Sequence, residues 1–263
     1  MARILAISSH VVRGQVGLAA TVPALQSLGH EVWALPTVLL ASRPGLGQLR
    51  RCALPEADLS GMLAALEADG CWPMLDAVFT GYFPSAAAVS TAADAIVRAK
   101  AANPSLITCL DPIIGDAGRL YVAQETAEAI RERLIPLADV AMPNLFELTW
   151  LTGAAAETAT QIVRSACGLG PATVVVTSAT QTTAGVGTLL AVRGSISEHH
   201  SRTRSRIPNG AGDVLAGLFL GHLLRGQSAE SALRAGLTRL DQVLAASEGK
   251  PVLDLAALCG PPT

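Results

Sequence analysis

The stretch Ile207-Pro-Asn-Gly-Ala-Gly-Asp-Val-Leu-Ala-Gly-Leu-Phe-Leu-Gly-His-Leu-Leu224 sets a proline, two glycines and an acid directly before the most apolar run of the chain. Residues 214–224 have helical length but fall short of the about 20 residues that a bilayer crossing takes. Residues 210–212 therefore stand at a helix N-terminus. Backbone N–H groups there lack intrahelical partners, and the helix dipole favours an anion. Glycine lets a phosphate come close, because no Cβ intrudes. Two readings fit. Asp213 is either an ordinary first-turn acid ahead of a core helix, or a carboxylate at the rim of a phosphate cradle. The pattern is not a Walker loop, which needs a Lys-Ser/Thr pair.

The rest of the chain supplies the frame. Apolar runs at 4–7, 32–38, 77–80, 106–110, 140–142 and 173–176 read as strands. They alternate with helical spacing over 16–28, 59–66, 86–102, 126–134 and 155–167. Residues 186–192 and 195–200 form a hairpin around Arg193-Gly194, and helices close the chain. Such alternation implies right-handed crossovers and an α/β fold: a central, mainly parallel sheet flanked by helices on both faces. With no repeat or linker, 1–263 reads as one domain. Ser42-Arg-Pro-Gly-Leu-Gly-Gln-Leu-Arg50 breaks all periodicity and reads as a mobile loop.

Composition excludes several classes. Of 263 residues, 50% are hydrophobic, enough for a sizeable core. The net charge of -2, with Arg202, Arg204 and Arg206 as the densest basic patch, argues against a nucleic-acid binder. The five cysteines are far apart and odd in number, which speaks for reduced thiols and against zinc. The first apolar run is too short for a signal peptide. The expectation is a soluble cytoplasmic protein, not a membrane one.

Ligands of open α/β sheets bind outside the carboxyl ends of the strands. Polar clusters follow five of the apolar runs: Ser8-Ser9-His10, Gly81-Tyr82, Asp111-Pro-Ile-Ile-Gly-Asp116, Asn144-Leu-Phe-Glu147 and Thr177-Ser178. Each has a plain alternative. Asn144 and Glu147, three apart, share a helix face and suit a hydrated Mg²⁺, but the same spacing is a capping box. Asp111 can reach a phosphate-bound metal or simply form an Asp-Pro turn. His10 and Arg13 are loop residues, with a phosphate contact as the sharper reading of Arg13.

Asn144-Leu-Phe-Glu147 and Gly210-Ala-Gly-Asp213 resemble the NxxE and GxGD motifs of the ribokinase-like kinases, in the order that superfamily shows. Ser8-Ser-His-Val-Val-Arg-Gly14, Gly81-Tyr82, Asp111-Pro-Ile-Ile-Gly-Asp-Ala-Gly-Arg-Leu-Tyr-Val122, Pro143-Asn-Leu-Phe-Glu-Leu148 and Pro208-Asn-Gly-Ala-Gly-Asp213 narrow the resemblance to its pyridoxal kinase family, from residue 4 to about residue 245.

The resemblance implies a ribokinase-like fold and ATP-dependent phosphorylation of the 5′-hydroxyl of pyridoxal. Asp213 would be the general base, and the N–H groups of Gly210, Ala211 and Gly212 the anion hole. Asp111, Asn144, Glu147, Thr177 and Asn209 would serve ATP, with Asp111 and Glu147 at Mg²⁺ and a monovalent cation as an open addition. Ser9, Arg43, Gly81, Tyr82 and Asp213 would meet the vitamin, under a lid at 42–50. A homodimer is implied as well. Two departures stand out: Gln15-Val-Gly-Leu18 where the family often has Asn, and Arg43 where its lid often carries an aromatic or His. A hydroxymethylpyrimidine kinase is the alternative of the same fold. A vitamer-binding protein without turnover is the alternative of another class, and it would need no base.

Overall fold

The computed structural model describes the chain except residues 44, 47, 49, 183–184 and 261–263. Nine strands form one sheet. In chain order they are β1 (Arg3–Arg13), β2 (Glu31–Ser42), β3 (Arg51–Ala53), β4 (Ala77–Thr80), β5 (Ile107–Leu110), β8 (Val140–Ala141), β9 (Thr173–Thr182), β10 (Gly185–Val192) and β11 (Ser195–Ser201); β6 (Gly115–Asp116) and β7 (Arg119–Leu120) pair apart as a small hairpin. The spatial order is β11-β10-β9-β8-β5-β4-β1-β2-β3. The six strands from β9 to β2 run parallel, and antiparallel strands finish both edges.

Successive side chains of a strand point to opposite faces, and here both faces are covered. Leu5, Ile7, Val174 and Val176 enter one core, with helices α2 (Glu56–Ala68), α3 (Ala86–Ala102), α4 (Gln124–Ala129), α5 (Leu145–Thr152) and α6 (Ala159–Gly168) on that side. Ile4, Ala6 and Val175 enter the other, under α1 (Leu18–Gln26), α7 (Ala211–Leu224) and α8 (Ala229–Ser247). Burial on both faces explains why these strands read as continuous apolar runs rather than alternating ones. The expected α/β architecture, a mainly parallel sheet with helices on both faces, is met.

Several expected boundaries move. β1 does not stop at residue 7. Past Thr80 its neighbour β4 ends, yet β1 continues to Arg13 beside β2, so Ser8, Ser9 and His10 lie within a strand. Pro36 does not end β2, because the register shifts there: Ser8 faces Pro36 and Ser9 faces Val38. A bulge is where a strand tolerates proline. The segment read as a loop at 42–50 is followed by the short strand β3 against β2. Residues 44, 47 and 49 of that expected lid lie outside the described residues. The helix expected over 126–134 is a short α-helix that widens into a π turn over Ile130–Leu134.

Candidate active site

Helix α7 is buried along most of its length and begins at the sheet's carboxyl rim. Helices α3, α5, α6 and α8 are capped by side chains of Ser85, Asn144, Thr158 and Ser228, whereas α7 begins at Gly210 with no side-chain cap. The first intrahelical bond is Val214 N–H to Gly210 C=O, 3.0 Å. The N–H groups of Ala211, Gly212 and Asp213 precede it. Gly210 has φ 114°, and a Cβ there would overlap the Gln15 carbonyl. Gly212 differs, because a Cβ would meet nothing within 4 Å. One glycine lets the chain turn; the other leaves room in front of the helix.

Asp213 is largely buried beside that opening. Thr21 Oγ1 donates to its carbonyl at 3.2 Å. Its Oδ1 is buried with no hydrogen-bond partner. Burial pushes the carboxyl up to about 6, against the pull of the Gly17 and Asp213 N–H groups. An acceptor held near neutrality and left unpaired fits a proton-abstracting role.

Asp111 ends β5 and is 8% exposed. Burial, then the charges of Asp213 and Glu147, hold its carboxyl well above the usual range. Glu147 is buried too. Its Oε2 accepts from Asn144 N (2.8 Å) and its Oε1 from Ile114 N (3.1 Å) and Gly115 N (3.4 Å). Burial still pushes it up, to about 8. Asn144 returns the box, accepting from Glu147 N at 2.9 Å, and donates to Gly115 C=O at 2.9 Å. The capping box is therefore real, and it also clamps the loop that follows Asp111. Thr177 sits alongside, bridged to Asn144, with its N–H on Pro143 C=O.

The charges of Asp213 and Glu147 both push Asp111 upward, a crowding of negative charge that a cation would relieve. Both oxygens of Glu147 are already engaged by backbone N–H groups. Among the described residues no group of three or more His, Cys, Asp or Glu side chains is placed to hold a metal by itself.

Across the rim, Ser8 is fully buried and accepts from Tyr82 N at 3.0 Å. A Cβ on Gly81 would overlap Ser8 Oγ, so this corner admits only glycine. Tyr82 is half-buried. Ser9 is buried, with its carbonyl and hydroxyl against Gly17. Arg43 lays its aliphatic stem over Gly14, and its Nη2 donates to Pro251 C=O at 3.1 Å. That guanidinium ties the 42–50 segment to the C-terminal segment instead of entering the rim alone. Asn209 is exposed just before the anion opening, while Asp116 turns outward to cap the β6–β7 hairpin through Ala117 N.

A sequence model of the family described as phosphomethylpyrimidine kinase matches residues 55–252. A curated pyridoxal kinase PdxY of Rubrobacter xylanophilus is 39% identical over 238 residues, covering 88% of this chain and 82% of that one. The chain belongs to the pyridoxal kinase family. A pyridoxal kinase of Leishmania donovani, solved in complex with ADP and pyridoxamine, superposes with a TM-score of 0.86 at 25% identity, over 97% of this chain and 94% of the other. A structure titled as a phosphomethylpyrimidine kinase of Bacteroides thetaiotaomicron gives 0.90 at 24% identity, covering 98% and 92%, and so shares the fold.

Some parts of this pyridoxal kinase family site were not legible in the sequence. Ser8 was read with Ser9 as one loop cluster, although Ser8 alone fixes the Gly81 corner. Gly17 has φ 57° and leaves no space for a side chain against Ser9. Its N–H serves Asp213. The Gly14…Gly17 punctuation was the only signal for it. Nothing in the sequence pointed to Thr21 or to the carbonyl of Gln15, which meet residues about 190 positions away.

Proposed function

We propose that this chain transfers the γ-phosphoryl group of ATP to the 5′-hydroxyl of pyridoxal. The observation that carries the reading is the unpaired Asp213 oxygen beside an uncapped helix end with open space at Gly212. Asp213 accepts the hydroxyl proton as the oxygen attacks. The N–H groups at 210–212 hold the charge on the transferring phosphoryl group, and as fixed dipoles they need no reorganisation. Asp111, with Asn144 and Glu147 behind it, faces the triphosphate, and Thr177 and Asn209 flank the nucleotide. When bound, Mg²⁺ would neutralise the triphosphate, held by Asp111 directly and by Glu147 through water. Ser9, Gly81 and Tyr82 line the vitamin side. The 42–50 segment closes over it, latched by Arg43. The same reading includes a single domain, a cytosolic setting and a homodimer, which sedimentation tests.

The description phosphomethylpyrimidine kinase on the matching family model favours a second reading, in which hydroxymethylpyrimidine is the acceptor. ADP release is measured with pyridoxal, pyridoxine, pyridoxamine and hydroxymethylpyrimidine in parallel. Turnover with the B6 vitamers is expected. Turnover with hydroxymethylpyrimidine alone overturns the main reading in favour of the second, and none with any acceptor overturns both.

A further inference from the structure

At the end of α7 remote from the rim, a cavity of about 240 Å³ lies between α7 and α8, lined by Leu28, His222, Ser231, Arg234, Thr238 and Arg239 among others. His222 is nine positions beyond Asp213, about 14 Å along the helix. Nothing in the proposed chemistry uses this cavity. His222 is 6% exposed, and neither of its ring nitrogens has a hydrogen-bond partner. A buried polar group without a partner is uncommon and costs stability. His30, the buried histidine behind it, is by contrast fully used: it accepts from Ala2 N and meets Gly221 C=O.

The surroundings are positive. Burial pushes the His222 imidazolium down, and Arg225, Arg239 and His30 push the same way. Arg239 is 4% exposed and is held in place by the carbonyls of Leu258 and Gly260. Arg234 stands at the mouth, 70% exposed, with Glu230 as its neighbour at 3.4 Å. Among the described residues, the charged and titratable groups facing the ring are thus Arg234 and Arg239 lining the cavity, Arg225 and His30 beside it, and Glu230 on the outer side. Ser231 adds a hydroxyl. The volume is just below the usual range for ligand pockets, so the ligand is small.

We infer that this cavity is a binding site for a small oxyanion, a carboxylate or a phosphate, paired with Arg234 at the mouth and hydrogen-bonded by the His222 ring.

The test follows the ring directly. ¹⁵N-labelled protein, kept saturated with ADP so that the rim is occupied, is titrated with inorganic phosphate and separately with acetate at constant ionic strength. The His222 signals are assigned by their loss in His222→Leu. A saturable shift is expected in the parent protein, with the midpoint raised by at least about tenfold in Arg234→Glu, which removes one charge-assisted contact and adds a repelling carboxylate. The anion with the lower midpoint names the source. His222→Leu should also lose the rise in melting temperature that the anion gives the parent. Absence of a saturable shift with either anion, or an unchanged midpoint in Arg234→Glu, overturns the inference. Should Arg234→Glu not fold, the parent titration and His222→Leu still decide it.

Discussion

Asp213→Asn separates the catalytic and the structural consequences of one buried carboxylate. In the folded protein the group titrates near 6, against 3.8 for the ordinary side chain. It binds its proton more tightly when folded. Above about pH 6 the folded state carries an ionised, desolvated carboxylate that the unfolded chain hydrates freely. Below 3.8 both states are protonated and the difference vanishes. The penalty at pH 8 is about 3 kcal/mol, from roughly 1.4 kcal/mol per pH unit. Removing the charge also relieves Asp111, which Asp213 pushes upward. Against this, an amide placed where Oδ1 has no partner costs about 1 kcal/mol. The net gain of about 2 kcal/mol raises the melting temperature by about 4 °C at pH 8, from the average unfolding entropy per residue over a chain of this length. At pH 4 only the amide cost remains, and the variant melts at or slightly below the parent. Turnover should fall by about 10²–10⁴, the range for a lost general base. Calorimetry at both pH values and an ADP-release assay read the two effects. The same temperature shift at pH 4 and pH 8 refutes the burial argument, and turnover within tenfold of the parent refutes the base assignment.

Gly212→Ala puts a methyl group into the open space before α7 without touching any neighbour. Melting temperature should hold or rise by a degree or two, since Ala is the better helix former, while turnover falls by about 10² as the anion opening fills; a variant that keeps its activity would remove Gly212 from the anion hole. Gly81→Ala drives a methyl into Ser8 Oγ and should cost about 1–3 kcal/mol in denaturant melts, with Ser8→Gly restoring most of it; additive losses in the double variant would show that the two do not meet. Arg43→Ala removes the bond to Pro251 and should raise KM for the vitamin more than it lowers kcat, and a pure kcat effect would disprove the latch.

The fold was readable because its strands are buried on both sides and its helices separate them, so 77–80 and 86–102 come out at their observed bounds. Where one strand outruns its neighbours the apolar signal stops early. Ser8 to Arg13 is strand only because β2 continues beside it, and no local pattern carries that. The site was readable as residue types. Asn144 and Glu147 show why the roles needed coordinates: the capping box and the pair proposed to face ATP are the same two side chains. Asp213 is set among Gly17 and Thr21, and that partnership has no trace in sequence spacing.

The bond from Thr21 Oγ1 to the Asp213 carbonyl joins residues 192 positions apart, and the Gln15 carbonyl seats Gly210 over a similar span. The first helix and the penultimate one must therefore meet before the proposed base and anion hole are assembled. During synthesis, the N-terminal two-thirds of the chain can lay down most of the parallel sheet and still be inert. Closing so long a loop comes late in folding. Recovered activity after dilution from denaturant should then trail the return of the far-ultraviolet signal, which makes turnover a clock for the last step of assembly.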